Sequence, residues 1–273
     1  MRYTDVWNKL TEEMGYWVNM DDPYITYKTK YIESVWWLLR QLYDKGLLYK
    51  GYTIQPYSPK AGTGLSSHEL NQPGTYRDVK DNTIVAMFKV TPPPPEGGIS
   101  GAGSPPPGEL EGVFLLAWTT TPWTLPSNTA LTVGEKIDYA IVNTYNQYSG
   151  EAIRVILAKA LIAKQFSGKY TEVDSAEALK AYNEGDKKIP YYIEKVVKGA
   201  DIIGIGNGHL LPYALQYESA EEAFYVFPGE LVTTEDSTVI VHPAPSFGAD
   251  DMPVAVTAGV RPMWEQDVHD NPV

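Results

Sequence analysis

The chain has 273 residues, no cysteine and a formal net charge of −12, from 22 basic and 34 acidic residues. The lack of cysteine excludes disulfides and thiolate metal sites, and the acidic balance argues against non-specific attraction to nucleic acid. No apolar run approaches the ~20 residues that a membrane helix needs, and the N-terminus has no signal-peptide pattern. We therefore expect a monomeric, cytoplasmic protein that does not enter a membrane.

The spacing of apolar residues predicts helices first and strands afterwards. Residues 2–18 and 28–50 repeat apolar side chains at helical intervals, so residues 1–50 are expected to form an N-terminal helical segment. Residues 51–273 contain many short β-favouring runs and are expected to form a compact, β-barrel-like α+β domain with peripheral helices. Inside it, residues 91–112 are rich in proline and glycine, which predicts a low-complexity loop. The expected strands are 47–49, 51–54, 83–90, 113–119, 139–142, 154–158, 202–205 and 239–241, and the expected short helices are 159–166, 175–182 and 252–258.

Two groups of conspicuous side chains have ordinary interpretations. Trp36, Trp37 and Tyr43 lie in the second predicted helix, where large aromatic residues more often pack than bind a ligand. His68 and Glu69 lie in a stretch without cysteine, so they lack the soft ligands of a zinc site. No metal site is expected.

A strand that ends in hydroxyl groups is the most informative stretch. Residues 113–128 have the sequence Val-Phe-Leu-Leu-Ala-Trp-Thr-Thr-Thr-Pro-Trp-Thr-Leu-Pro-Ser-Asn, in which a β-favouring run leads into threonines and a proline ends it. Side-chain alternation places Thr119 and Thr121 on one face and Thr120 with Trp118 on the other. Hydroxyls beside indoles suit a small polar ligand with an apolar end, but β-propensity and turn chemistry explain the same residues without a ligand. The candidates are Thr119, Thr120, Thr121, Trp123, Thr124 and Asn128.

A second polar block lies near the C-terminus. It comprises residues 228–236, Pro-Gly-Glu-Leu-Val-Thr-Thr-Glu-Asp, and residues 241–251, Val-His-Pro-Ala-Pro-Ser-Phe-Gly-Ala-Asp-Asp. His242 follows a predicted strand, so its ring is expected at a strand end, where it handles a proton or is held by core hydrogen bonds. Asp250 and Asp251 precede the last predicted helix and either cap it or offer a fixed carboxylate to a cationic group.

Together the two blocks resemble the two signatures of the editing (CP1) domain inserted into class I isoleucyl-, valyl- and leucyl-tRNA synthetases. These signatures are a threonine-rich segment and a His-x-Ala-Pro followed by Gly-x-Asp-Asp. The first part of the chain, from Met14-Gly15-Tyr16-Trp17 to Trp36-Trp37-Leu38-Leu39, is more similar to the isoleucyl enzyme than to its two relatives. The resemblance implies hydrolysis of the ester in misacylated valyl-tRNA(Ile). It also implies two partners: the 3′ end of that tRNA and the remainder of the parent synthetase.

The resemblance further implies roles for individual residues. Asp251 matches the aspartate that anchors the α-amino group, and His242 matches a residue that positions substrate and limits its size. Thr121 and Thr124 match hydroxyls that line the amino-acid pocket or position water, while Trp123 walls that pocket or packs in the core. The resulting catalytic set is Asp251, His242, Thr121 and Thr124, and the substrate-binding set is Thr119, Thr120, Trp123, Asn128 and Asp250.

The chain departs from the family pattern in two places. The family usually has Asp-Gly-Thr-Gly-x-Val-His, whereas this chain has Asp236-Ser237-Thr238-Val239-Ile240-Val241-His242. The side chain of Val239, at a habitual glycine position, is expected to narrow the pocket or tilt His242. Residues 204–213 lose the bulky polar middle of a family pattern, and their glycines predict a flexible loop.

The absence of certain motifs limits which reactions the chain can catalyse. It contains no His-x-Gly-His, Lys-Met-Ser-Lys-Ser or Walker sequence. We therefore expect an excised editing insertion that cannot aminoacylate and needs no cofactor, whereas the parent synthetase is expected to use ATP and Mg²⁺. The alternatives are a valyl-enzyme domain that clears threonine, a non-catalytic module that docks the tRNA 3′ end, and a carbohydrate-binding β module suggested by 20 tyrosines and 7 tryptophans.

Overall fold

A computed structural model describes most of the chain, and the chain divides into two units, Met1–Thr53 and Ile54–Val273. The described residues are 3–51, 53–91, 110–183, 185–211, 223–229, 232 and 239–260.

The first unit contains two amphipathic helices, α1 (Thr4–Glu13) and α2 (Thr29–Asp44), inside the two segments predicted to be helical. None of the residues of α1 or α2 is buried. Packing was expected of Trp36 and Trp37, but among the described residues they are 71% and 62% exposed. An amphipathic helix buries its apolar stripe only against another layer of structure.

The second unit carries the strands and the remaining described helices. Its strands are β1 (Tyr57–Ser58), β2 (Thr63–Gly64), β3 (Ile84–Thr91), β4 (Val113–Thr119), β5 (Leu131–Val133), β6 (Asp138–Tyr145), β7 (Ala152–Ala158), β8 (Tyr170–Glu172), β9 (Ile189–Lys198), β10 (Gly206–Asn207) and β11 (Val226–Pro228). Its helices are α3 (Ser67–Leu70), α4 (Ile162–Gln165), α5 (Ala176–Lys180), α6 (Gly199–Ile202) and α7 (Asp251–Thr257), with 3₁₀ helices η1 (Pro122–Ser127) and η2 (Lys159–Leu161).

Seven strands form one mixed sheet in the order β10-β3-β4-β7-β6-β9-β8. The pairs β4–β7 and β8–β9 are parallel and the others antiparallel. A separate parallel pair, β11–β5, is linked to the β10 edge by a bridge between Gly206 and Tyr225. This confirms the α+β class, but within the described part of the chain the sheet stays open and does not close into a barrel.

The sheet is covered on both faces, which explains why β4 is almost wholly buried. The larger core cluster includes Phe88, Leu115 and Tyr139 of the sheet together with Leu131 of β5. The smaller cluster, on the other residues of the same strands, packs around Phe166 next to α4. Full burial of a large apolar side chain contributes about 1.5–3 kcal/mol to the stability of the fold. Because most residues of β4 are buried in this way, packing in the sheet fixes where β4 ends.

Several predicted elements match the structure closely. The strands predicted at 83–90, 113–119, 139–142 and 154–158 correspond to β3, β4, β6 and β7, and the helix predicted at 252–258 corresponds to α7. The predicted helix 159–166 is divided between η2 and α4, and 175–182 contains α5. The predicted loop at 91–112 lies mostly outside the described residues.

Other predictions were wrong. Residues 47–49 and the described part of 51–54 form no strand, and residues 202–205 begin inside α6. Of the predicted strand 239–241, Val241 alone makes a bridge. The longest strand among the described residues, β9, was not predicted; its second residue, Pro190, lacks an N–H for a ladder.

Candidate active site

Three threonine hydroxyls form a connected network at the end of β4. The backbone N–H of Thr121 donates to Thr119 Oγ1 over 3.0 Å, and the hydroxyl of Thr124 donates to the carbonyl of Thr121 over 2.8 Å. The Oγ1 atom of Thr121 lies 3.3 Å from those of both Thr119 and Thr124. Thr119 and Thr124 are buried whereas Thr121 is exposed. The network therefore opens to solvent at Thr121.

Thr120 and Trp123 are exposed residues next to this network in the sequence. Thr120 is exposed, as expected from the alternation that separates it from Thr119 and Thr121. The indole of Trp123 is 63% exposed, so it is not a core residue. It remains available as an outer wall for a ligand bound at Thr121.

Asn128 lies in the interior and ties the threonine segment to the second polar block. Its side chain has no exposed surface. Its Nδ2 donates to the carbonyl of Ala130 over 2.6 Å and, at 3.5 Å, points to the carbonyl of Pro243. These hydrogen bonds help to fix the loop that follows the threonines.

A backbone bridge brings the two polar blocks side by side. Thr132 of β5 donates its N–H to the carbonyl of Val241 over 2.8 Å and accepts the N–H of Val241 over 3.0 Å. His242 directly follows this bridge. Thr132 had no signal in the sequence, since a threonine in a short apolar strand is ordinary β-propensity.

His242 is a buried, neutral imidazole. Its side chain is 7% exposed, and burial lowers its pKa to about 4. Its Nδ1 has no hydrogen-bond partner among the described residues, which argues against a histidine held by core hydrogen bonds. At neutral pH the ring is therefore uncharged, which disfavours a role that depends on its ordinary titration near neutral pH.

Asp251 is the first residue of α7 and is held by the loop that precedes it. Its Oδ2 accepts the backbone N–H of Ala244 over 3.0 Å. Burial raises its pKa, the Ala244 hydrogen bond opposes that rise, and the negative charge of Asp250 adds to it. A carboxylate in this environment gains from a cationic partner.

Gly248 and Asp250 differ in how closely they constrain the carboxylate of Asp251. A Cβ atom at Gly248 would overlap the carboxylate of Asp251, so this position of the Gly-x-Asp-Asp sequence must be glycine for Asp251 to occupy its place. Asp250 is exposed, and although it stands at the N-cap position its side chain makes no capping hydrogen bond to α7.

Val239, at the position where a glycine was expected, has a left-handed φ of +58°. Its side chain is 2% exposed and belongs to the larger core cluster. The backbone thus adopts the conformation typical of glycine while the side chain packs into the core. The residues immediately before it, 233–238, lie outside the described part of the chain.

His68 and Glu69 belong to local structure in α3. Gln72 Nε2 lies 2.8 Å from His68 Nε2, and Glu69 accepts the N–H of Ser66 in a capping box. Among the described residues, no group of three or more histidine, aspartate or glutamate side chains is arranged to hold a metal ion. Nor does that part of the chain contain a helix with the length and apolar character needed to span a bilayer.

Comparison with known proteins gives consistent matches. Residues 1–246 match the family model of class I tRNA synthetases for isoleucine, leucine, methionine and valine. The chain is 56% identical to an isoleucine–tRNA ligase of Bacteroides thetaiotaomicron, covering 97% of this chain and 22% of that protein, and 52% identical to one of Cytophaga hutchinsonii, covering 99% and 23%. It thus spans about a fifth of the length of these relatives. A solved structure named GlLeuRS-CP1 is 21% identical, with a TM-score of 0.33, over 59% of this chain and 54% of that one.

Proposed function

Because the chain belongs to the class I tRNA synthetases of the isoleucine, leucine, methionine and valine group, we propose that its second unit is an editing domain. Its reaction is hydrolysis of the ester that joins valine to tRNA(Ile). The observation that most supports this proposal is that two polar blocks distant in sequence meet in the fold. They are joined by the Thr132–Val241 bridge and by the contact of Asn128 with Pro243, 115 residues away.

The chemistry of each side chain supports this reaction. An aminoacyl ester carries a cationic α-amino group, and Asp251 offers a partly buried carboxylate whose Oδ2 is fixed by Ala244. A charge-assisted hydrogen bond to that group is stronger than a neutral one. The hydroxyl of Thr121 is the exposed end of a connected network, which can orient a water molecule or the ester.

The neutral ring of His242 gives selectivity by size. Isoleucine and valine differ by one methylene. A single apolar pocket converts this difference into only about 1–3 kcal/mol of discrimination, as is known for isoleucyl-tRNA synthetase itself. A second site that admits valine and excludes isoleucine corrects the remaining errors. A buried, uncharged imidazole can form a wall of such a site.

The test is valine release from valyl-tRNA(Ile), compared with isoleucyl-tRNA(Ile). We expect selective valine release by the 273-residue chain, and a loss of about a hundredfold or more in Asp251→Ala. Asp174→Ala is the control, because its carboxylate is exposed and lies outside both polar blocks, and it should retain activity. Release that persists in Asp251→Ala would contradict the proposed anchor, and preferential release of threonine from threonyl-tRNA(Val) would identify the valyl-type alternative.

A non-catalytic docking module is the second candidate, favoured by the departures from the family pattern. The net charge of −12 predicts weak binding of tRNA by this chain alone. A folded chain that binds the tRNA 3′ end but releases no valine at high protein concentration would support this candidate over the editing reaction.

We further propose that the first unit contacts the remainder of a parent synthetase. Its apolar stripe includes Trp7, Trp36 and Trp37, all exposed in this chain, and exposed apolar patches of this kind mark interaction surfaces. Replacing Trp36 and Trp37 by lysine should weaken binding of the chain to the remaining segments of the parent synthetase in a pull-down experiment, while Trp123→Lys, outside this stripe, should not. Equal behaviour of both variants would contradict the proposed contact.

A further inference from the structure

The short ladder beside His242 is interrupted by a tyrosine side chain. Thr132 and Val241 exchange both backbone hydrogen bonds. In an antiparallel ladder, the next pair to do so lies two residues further along one strand and two residues back along the other. That pair is Gly134 and Val239.

Gly134 and Val239 are joined through the hydroxyl of Tyr139 rather than directly. The N–H of Gly134 donates to Tyr139 Oη over 3.1 Å, and the Tyr139 hydroxyl donates to the carbonyl of Val239 over 2.9 Å. One phenol oxygen thus bridges the Gly134 N–H and the Val239 carbonyl, and so replaces one of the two direct hydrogen bonds that such a pair would exchange.

The position of this hydroxyl is fixed from several sides. Tyr139 has no exposed surface, and burial raises its pKa to about 12, so the phenol keeps the proton that it donates. A Cβ atom at Gly199 would overlap the carbonyl of Gly134 and approach the Tyr139 ring to 3.1 Å. The close approach of Gly134, Tyr139 and Gly199 leaves the ring little freedom to move.

Val239, whose carbonyl accepts the Tyr139 hydroxyl, has a left-handed backbone conformation. Its φ of +58° is unfavourable for a β-branched residue, because the side chain approaches its own backbone in the left-handed region. Such strain persists only where surrounding contacts hold it. The contact on the Val239 carbonyl is the Tyr139 hydroxyl.

We propose that Tyr139 is a positioning residue whose hydroxyl replaces a ladder rung, holds Val239 in the left-handed conformation and so directs the chain into His242. Its effect on His242 is a property of the fold. Its effect on deacylation rests on the proposed function.

The direct test is the titration of His242 in the 273-residue chain, monitored by NMR of its imidazole. The resonance of His242 is assigned by its loss in His242→Gln. Tyr139→Phe keeps the ring but removes the rung, so we expect the pKa of His242 to rise from about 4 by about one unit or more as the segment relaxes toward solvent. Adding Val239→Gly should lower it again, because glycine adopts the left-handed conformation without strain. Tyr170→Phe is the matched control, since its hydroxyl also donates to a backbone carbonyl, that of Tyr145, on the other face of the sheet.

The outcomes separate cleanly. An unchanged His242 titration in Tyr139→Phe, an equal change in Tyr170→Phe, or a double variant no better than Tyr139→Phe would each overturn the proposal. If Tyr139→Phe does not fold, the double variant decides: we expect it to fold with a low His242 pKa, and its failure to fold overturns the proposal.

Kinetics test the catalytic consequence separately. Tyr139→Phe should lower kcat for valine release about tenfold with little change in KM, since misplaced groups cost rate more than binding, and Val239→Gly should restore it. A wild-type chain that releases no valine would refute the proposed function and leave the titration result standing.

Discussion

The two halves of the candidate site are held in different ways. The threonine segment is organised by itself, since its hydrogen bonds join Thr119, Thr121 and Thr124 within a few residues of one another. The segment with His242 and Asp251 depends on distant residues, because Val241 is held by Thr132 and Val239 by Tyr139.

The difference shows in how completely the polar groups are satisfied. The threonine hydroxyls use one another, whereas His242 Nδ1 has no partner within the described residues and Asp251 has a raised pKa. One half of the site is therefore formed by local sequence. In the other half, the fold holds His242 and Asp251 in surroundings that leave their polar atoms incompletely stabilised. Groups of the second kind are the ones that a bound substrate can stabilise.

The largest expected effect concerns acid stability and the second half. Because the pKa of His242 is about 4 in the fold, against 6.5 normally, the unfolded state binds its proton first as pH falls. Stability should therefore be fully present above pH ~6.5 and should decrease by about 3 kcal/mol as pH falls to ~4. Urea unfolding of His242→Gln should lose this pH dependence, whereas His68→Gln, on an exposed helix, should keep it.

Substitution at Gly248 tests whether Asp251 must occupy its place. In Gly248→Ala the new Cβ overlaps the Asp251 carboxylate, so we expect a folded protein with valine release reduced about ten- to a hundredfold. Gly208→Ala is the control, since a Cβ there meets its nearest neighbour, the Lys89 carbonyl, at an ordinary 3.6 Å. Equal activity of the two variants would show that the carboxylate does not need its observed position.

A smaller effect is expected in the locally organised half. Thr124→Val removes the hydrogen bond to the Thr121 carbonyl and should lower the free energy of unfolding by about 1 kcal/mol. The exposed Thr120→Val should change it by less than about 0.5 kcal/mol. A Thr124 effect as large as that of His242 would remove the distinction between the two halves.

The smallest effect has an informative sign. Since the pKa of Asp251 is raised in the fold, the folded state holds its proton more tightly, and stability falls as pH rises from the ordinary value to the raised one. Asp251→Asn removes this loss, so the variant should be more stable than wild type at neutral pH. A less stable Asp251→Asn in urea unfolding at pH 7 would contradict the raised pKa.

The contrast also explains what the sequence could predict. The threonine network follows from strand alternation and a proline, both local rules, so β4 and the neighbouring positions of Thr119 and Thr121 were predictable. The positions of Thr132 and Tyr139 depend on contacts between residues a hundred or more positions apart, and no local pattern marks them. β9 was also missed: Pro190 has no N–H to donate to a ladder, and its pairing with Thr171 of the parallel strand β8 becomes visible only in the folded sheet.

The distribution of tryptophan has a practical consequence for every unfolding experiment above. Trp7, Trp17, Trp36 and Trp37 are exposed in the first unit, and Trp123 is exposed at the site. Of the tryptophans in the described residues, Trp118 alone is partly shielded. Intrinsic fluorescence will therefore be dominated by indoles already in water, and it will change little when the sheet opens. Far-ultraviolet circular dichroism and tyrosine absorbance, to which the buried Tyr139 contributes, are the signals that follow the core.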